Sequence, residues 1–333
     1  MSVLVAASAC ASGTGSADTQ ESGVGSADTH EAAVVSTSDV RLCGSGDGAA
    51  FEHPDWPVGG GAEAAFLPVV QSSLISVGPS RFLYNVLDEG YRQLAAPDVP
   101  SHVDFYALQR DPETPAASVA ASYLASGLGR GLYRASVDFD CVGEWGAEIS
   151  TTLGDGSTAS ERLRFEVQPV GSTPAIGAPA PRSESLTAMT LQEVRRISTD
   201  SNPYAASYAS TVAEAVTSGR PAIIFFATPA FCQTGFCGPT IELVKSVARE
   251  YEGKVAYVNV EPYELHETVD GLRPALDADG HLQPVAAALE YGIPIEPYLF
   301  LVDAQGTVFA KFEGIVGGDE LRAAIEDVLA ESA

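Results

Sequence analysis

The run Ala222-Ile223-Ile224-Phe225-Phe226 is short, continuous and apolar, and it constrains the chain more than any other stretch. Five successive apolar residues after Arg220-Pro221 read as a strand buried on both faces. Two cysteines follow, Cys232 and Cys237, and then Ile241, Val244, Val247, Ala248 and Tyr251 recur at helical spacing. Strand, cysteine-bearing turn and helix is the order this predicts. Pro239 suits the first turn of that helix, because the N–H it lacks would be unpaired there. Cys237 then stands beside free backbone donors and the positive end of the helix dipole, which lowers a thiol pKa. It is expected to be the more acidic thiol of the two.

Cys237-Gly238-Pro239 before a helix, the strand Val255 to Val260, and the later Tyr291-Gly292-Ile293-Pro294-Ile295-Glu296-Pro297-Tyr298 resemble the thioredoxin family in order and spacing, over about residues 205 to 333. The resemblance implies an α/β thioredoxin-like fold with Cys237 as the first active-site cysteine. It implies a cis-proline at Pro297 that holds substrate backbone, with Gly238 and Pro239 beside it. Thr240 stands where that family has its second cysteine, and Phe225 or Phe226 where many members keep a buried aspartate. Cys232 is the nearby replacement for the resolving thiol, so a reversible Cys232–Cys237 disulfide is expected.

Composition narrows the partners. Forty-four acidic against 18 basic residues give a net charge of −26, which repels phosphate backbones, so nucleic acid is not an expected partner. No run of 18 apolar residues exists to make a membrane-spanning helix. Ala7-Ser8-Ala9-Cys10 resembles the lipobox of bacterial lipoproteins, which implies lipidation at Cys10 and a cell-membrane location facing the extracytoplasmic side. Residues 11–50 are mostly Gly, Ser, Ala, Thr and Asp, a composition that cannot bury enough surface to fold, and read as a tether behind a signal remnant at 1–10.

From about 51 to 170 the pattern turns to period two. Val103, Phe105 and Ala107 share one face, as do Ala135, Val137 and Phe139, then Trp145, Ala147 and Ile149, then Leu163, Phe165 and Val167. Half-buried strands at this spacing, with turns such as Gly154-Asp155-Gly156, predict an all-β immunoglobulin-like sandwich. Four prolines between Pro169 and Ser185 predict an extended Pro-rich linker over 171–185. The C-terminal domain is then 186–333, with Thr211 to Glu214 a capping box, Asp303 to Gly306 a hairpin, and a helix over Asp319 to Glu331. Residues 261–283 are acidic and long for a loop, and read as a lid or partner surface.

An even count of cysteines outside the cytosol, once Cys10 is lipidated, invites disulfides, and Cys43 with Cys141 is a second candidate pair. The chain is therefore expected to be a membrane-anchored thiol–disulfide oxidoreductase acting on protein thiols and disulfides, with Cys237 attacking and Cys232 resolving. An assignment with Cys232 attacking stays open. No cofactor and no metal site are expected, and the lipid anchor is the only membrane contact. Three alternatives remain. One is a non-catalytic binding module. Another is a peroxiredoxin-like protein, since Thr234-x-x-Cys237 resembles that family's motif. The third is a copper-delivery protein using both cysteines with His266 or His281.

Overall fold

The computed structural model describes residues 41–44, 55–58, 64–125 and 131–332, all within one compact unit, Thr37–Ala333. Cys10 and the 1–10 and 11–40 segments lie outside the described residues. Seven strands open the fold: β1 (Leu67–Val70), β2 (Gly78–Leu87), β3 (Ser101–Ala107), β4 (Ala117–Ala125), β5 (Gly131–Phe139), β6 (Gly143–Thr152) and β7 (Thr158–Val167). They hydrogen-bond in the order β1-β2-β5-β4-β3-β6-β7, every pair antiparallel. The two edges approach one another, because Val77 N–H donates to Gln168 O at 3.0 Å and Gln168 N–H to Ile75 O at 2.9 Å. The result is one sheet curled almost into a barrel, which removes most of the exposed edge.

The period-two residues face its interior. Phe82, Tyr84, Phe105, Tyr133, Phe139 and Trp145 are all buried in a single cluster, with edge-to-face aromatic pairs such as Phe105–Phe139 at 5.5 Å. Trp145 is a core residue, its indole N–H donating to Cys141 O at 3.1 Å. Cys43 and Cys141 form a disulfide across 98 residues of sequence, a loop whose closure restrains the unfolded chain by about 4.7 kcal/mol in the loop-entropy account.

After β7 come α1 (Leu191–Val194), a 3-10 turn (Ala205–Tyr208), α2 (Val212–Val216), β8 (Ala222–Phe226), α3 (Cys237–Glu250), β9 (Ala256–Val260), β10 (Leu265–Thr268), β11 (Gly271–Pro274), α4 (Ala286–Glu290), β12 (Tyr298–Val302), β13 (Val308–Glu313) and α5 (Gly318–Glu331). Four of the strands make a sheet in the order β13-β12-β8-β9, in which only β8 and β9 run parallel. β8 is apolar throughout because both of its faces are covered. Ile223 and Phe225 meet Ile241, Val244, Leu321 and Ile325 from α3 and α5, while Ile224 and Phe226 meet Val212, Ala287 and Tyr291. β10 and β11 form an exposed hairpin of their own within the acidic 261–283 stretch.

This architecture overturns the expected pair of an immunoglobulin-like sandwich followed by an α/β thioredoxin-like fold. Strand makes up 36% of the chain and helix 17%, the seven N-terminal strands run round one near-barrel sheet in place of two packed sheets, and only α3 and α5 exceed five residues. Period two shows that a strand has an inner and an outer face, and it does so equally for a sandwich and a barrel.

The Pro-rich stretch 171–185 is bonded to the fold part-way along. Gly177 N–H donates to Val308 O, Val308 N–H to Ala178 O and Ala180 N–H to Gly306 O, all at 2.8 to 2.9 Å, so residues 177–180 pair with 306–308 at the entry to β13. The outer face of the barrel also meets the C-terminal half directly. Leu83, Leu124 and Leu132 bury Ile315 among them. Beside them Arg81 donates to Glu320 at 2.7 and 2.9 Å and to the carbonyls of Glu313 and Ile315, and Arg134 lies 2.6 Å from the same carboxylate.

Candidate active site

The two free thiols among the described residues flank one turn, Cys232 in the loop after β8 and Cys237 as the first residue of α3. Ala227 N–H still donates to Val260 O at 3.1 Å, so the sheet holds the chain to that point. Gly235, at φ +75°, then turns the loop back across the start of α3 in a conformation that side chains with a Cβ rarely adopt. The cap residue Phe236 has no side chain able to accept from the exposed helix N–H groups. A sulfur does so in its place, for Cys237 N–H donates to Cys232 Sγ at 3.2 Å.

This geometry reverses the expected order of acidity of the two thiols. Cys232 is half-buried, and its pKa is pulled down to about 5. The main cause is the hydrogen bond from the Cys237 thiol. Burial opposes it, and the Thr234 hydroxyl and the N–H groups of Cys237 and Thr234 reinforce it. Cys237 is fully buried, and its pKa is pushed up, first because its proton is held in the bond to Cys232, then by burial and by the negative charges of Cys232 and Glu296. The positive end of the helix therefore acts on the upstream sulfur. Cys237 belongs to the helix, but its side chain points into the core beside Ile241 and Phe225.

The opposite wall comes from the chain before β12. Glu296–Pro297 is a cis peptide, as the resemblance implied for Pro297. Glu296 is buried at 1% exposure, its carboxylate accepting from Gln233 N–H at 2.9 Å and from the Tyr263 hydroxyl at 2.6 Å. The Thr234 hydroxyl stands 3.1 Å from Glu296 O and 3.3 Å from Cys232 Sγ, so its one proton serves either acceptor. Gln233 also donates to Tyr263 from its side chain at 3.0 Å. The cysteine loop is thus tied at two successive residues to the segment that holds Pro297. Gly238 and Pro239 occupy the first turn of α3, with open space where a Cβ at Gly238 would stand.

The residues brought together are Cys232, Cys237, Thr234, Glu296 and Tyr263. The sequence reading missed Glu296, although a lone acid inside Ile293 to Leu301, an otherwise apolar and aromatic stretch, is the kind of buried charge that needs an explanation. His266 and His281 are not part of this group. His281 bonds Asp277 at 3.3 Å on the exposed surface, and both histidines are exposed.

Comparison with known proteins adds little. No protein-family model matches the chain, and no curated protein does. Among solved structures the likenesses are slight, and two illustrate them. One is the PmoD soluble domain from Methylocystis sp. ATCC 49242 (Rockwell), at 13% identity over 32% of this chain and 99% of that one, with a TM-score of 0.21. The other is a putative glycoside hydrolase from Bacteroides vulgatus ATCC 8482, at 13% identity over 64% of this chain and 35% of that one, with a TM-score of 0.20. The expected membership of the thioredoxin-like superfamily is not upheld, and the site is argued from its own residues.

Proposed function

We propose that the chain is a dithiol–disulfide oxidoreductase in which Cys232 attacks and Cys237 resolves. The observation that carries this reading is a partly exposed sulfur that accepts from the first N–H of the helix, with a second thiol buried in the same helix turn behind it. A thiolate so held is charged at neutral pH and reachable from solvent. It attacks one sulfur of a substrate disulfide, forming a mixed disulfide at Cys232 and expelling the other half of the substrate as a thiolate. Cys237 then gives up its proton and attacks the Cys232 sulfur. The remaining half leaves as a thiolate, so the substrate gains two electrons and the protein pair becomes a disulfide. Run backwards, the same steps oxidise a substrate dithiol.

The Cys43–Cys141 disulfide supports an oxidising, extracytoplasmic setting, in which protein thiols and disulfides are the available substrates. Lipid attachment at Cys10 belongs to the same proposal and rests on the sequence. Intact-mass measurement of the native protein tests it, and an unmodified Cys10 would remove the anchor.

The exchange reaction is tested with the reduced protein and 5,5′-dithiobis(2-nitrobenzoate). Wild type is expected to release both thionitrobenzoate halves and end with an internal disulfide. Cys237→Ser is expected to release one and retain the other as a stable adduct, and Cys232→Ser to lose the fast reaction. An adduct trapped instead on the Cys232→Ser variant would return the attacking role to Cys237. Full exchange by both variants would leave the pair without a redox role.

A further inference from the structure

The sulfurs of Cys232 and Cys237 and a carboxylate oxygen of Glu296 all lie within 4.8 Å of one another. From this we infer that the reduced site binds one borderline divalent cation of the zinc type through Cys232, Cys237 and Glu296. The inference rests on the same two thiols as the exchange reaction, in their reduced form.

Two independent features support it. The first is the donor set. Two thiolates and one carboxylate are ligand types that zinc takes, the Cys237 thiol releasing its proton to solvent as the metal binds, and tetrahedral bonds of about 2.0 to 2.3 Å separate such donors by about 3.5 to 3.8 Å. The three atoms need to close by no more than about an ångström from their present limit of 4.8 Å. The carboxylate makes a monovalent copper ion, which favours all-soft donors, a poorer fit, and the thiolates do the same for calcium and magnesium. Three protein ligands leave one tetrahedral position open on the side where Cys232 is exposed.

The second feature is Glu296 itself. A carboxylate at 1% exposure is costly unless its charge is met, and its partners are a backbone N–H and a phenol, with no arginine, lysine or histidine in ion-pair contact among the described residues. A cation bridging the three donors meets that charge. The Tyr263 hydroxyl and Gln233 N–H already orient the carboxylate as outer partners of a metal ligand do, and the Cys237 N–H holds the Cys232 sulfur in the same way. A second donor group among the described residues, Asp277, Asp279 and His281, is wholly exposed and bonded within its own loop, and has no such second feature.

The test uses the full chain, reduced and stripped with a chelator. Zn(II) is titrated against 4-(2-pyridylazo)resorcinol, and Co(II) serves as the optical probe. Reduced wild type is expected to hold one Zn(II), and its Co(II) form to show thiolate-to-cobalt charge transfer with tetrahedral d–d bands. The disulfide form and the variants Cys232→Ser and Cys237→Ser are expected to lose the site. Glu296→Gln is expected to weaken it by about tenfold or more, and Tyr263→Phe, which removes only an outer hydroxyl, to weaken it by a smaller factor. Equal affinity in wild type, Glu296→Gln and Tyr263→Phe would reduce the site to a plain dithiol chelate and overturn the inference. A reduced wild type that gives up its metal to the dye, or a Co(II) spectrum without thiolate bands, would overturn it as well. A wild type that exchanges disulfides but holds no zinc defeats this inference alone. One that holds zinc but never exchanges defeats the oxidoreductase reading and leaves the metal site standing.

Discussion

At the scale of single residues, five positions separate two cysteines that differ in every property relevant to reactivity. Cys232 is half-buried and receives hydrogen bonds, while Cys237 is fully buried and donates its proton. Alkylation of wild type by iodoacetamide is therefore expected to rise through a midpoint near pH 5, set by Cys232 at about 5. Thr234→Val removes a donor to the charged form, so the midpoint should move up, by about one unit. A midpoint in the ordinary thiol range for wild type would show that the sulfur lacks these donors in solution. The sign for stability follows from the same depression. The contribution of Cys232 is complete above the ordinary thiol pKa and is lost as pH falls through about 5.

At the scale of elements, α3 does two things with one set of residues. Its first turn supplies the N–H for Cys232, and its buried face holds the helix against β8 through Ile241, Val244 and Val247. Lys245 sits on that buried face at 1% exposure. It donates to Asp200 at 2.8 Å, to Glu242 at 2.6 Å and to Asn202 O at 2.7 Å. Removing the cation strands a buried carboxylate, so Lys245→Met is expected to cost about 3 to 5 kcal/mol, read as a lowered urea midpoint. Asp200→Leu added to Lys245→Met should restore much of the loss, because the orphaned charge is then gone. A Lys245→Met variant of wild-type stability would show that the pair is hydrated in solution.

At the scale of the whole molecule, the barrel and the C-terminal half share an interface around Glu320. Burial raises the carboxyl pKa of Glu320, but Arg81 and Arg134 outweigh it and hold the group below its ordinary range. This stabilisation is present above the ordinary carboxylate pKa and fades as pH falls through the depressed value, so the interface should loosen in acid. Glu320→Ala leaves two largely buried guanidinium groups facing each other and is expected to cost about 3 kcal/mol. It should also split the thermal transition, whereas wild type melts as one. Limited proteolysis of wild type is expected to spare 171–185, which is pinned by the pairing of 177–180 with 306–308. Two stable fragments divided there would argue for separate bodies.

The sequence alone determined which faces of the strands are apolar, because alternation is a local property. It placed Val103, Phe105 and Ala107 with Trp145, Ala147 and Ile149 on an inner surface, and it marked β8 as covered on both sides. Local chemistry likewise made the Thr211–Glu214 capping box and the turn at Asp303 readable. Closure of the seven strands was decided by Gln168 bonding Ile75 and Val77 across about ninety residues, a pairing that no local pattern carries. The outward leucines of the barrel look like ordinary alternating residues until Ile315 meets them. The candidate site divides in the same way. The two cysteines and the helix between them and Tyr251 were legible, but which sulfur receives the helix N–H depends on how Gly235 turns the loop, and Glu296 enters from 63 residues beyond Gln233. Local periodicity records what each residue's own neighbours require, whereas charge, burial and proton placement at this site are set by groups that only the folded chain brings within a few ångströms.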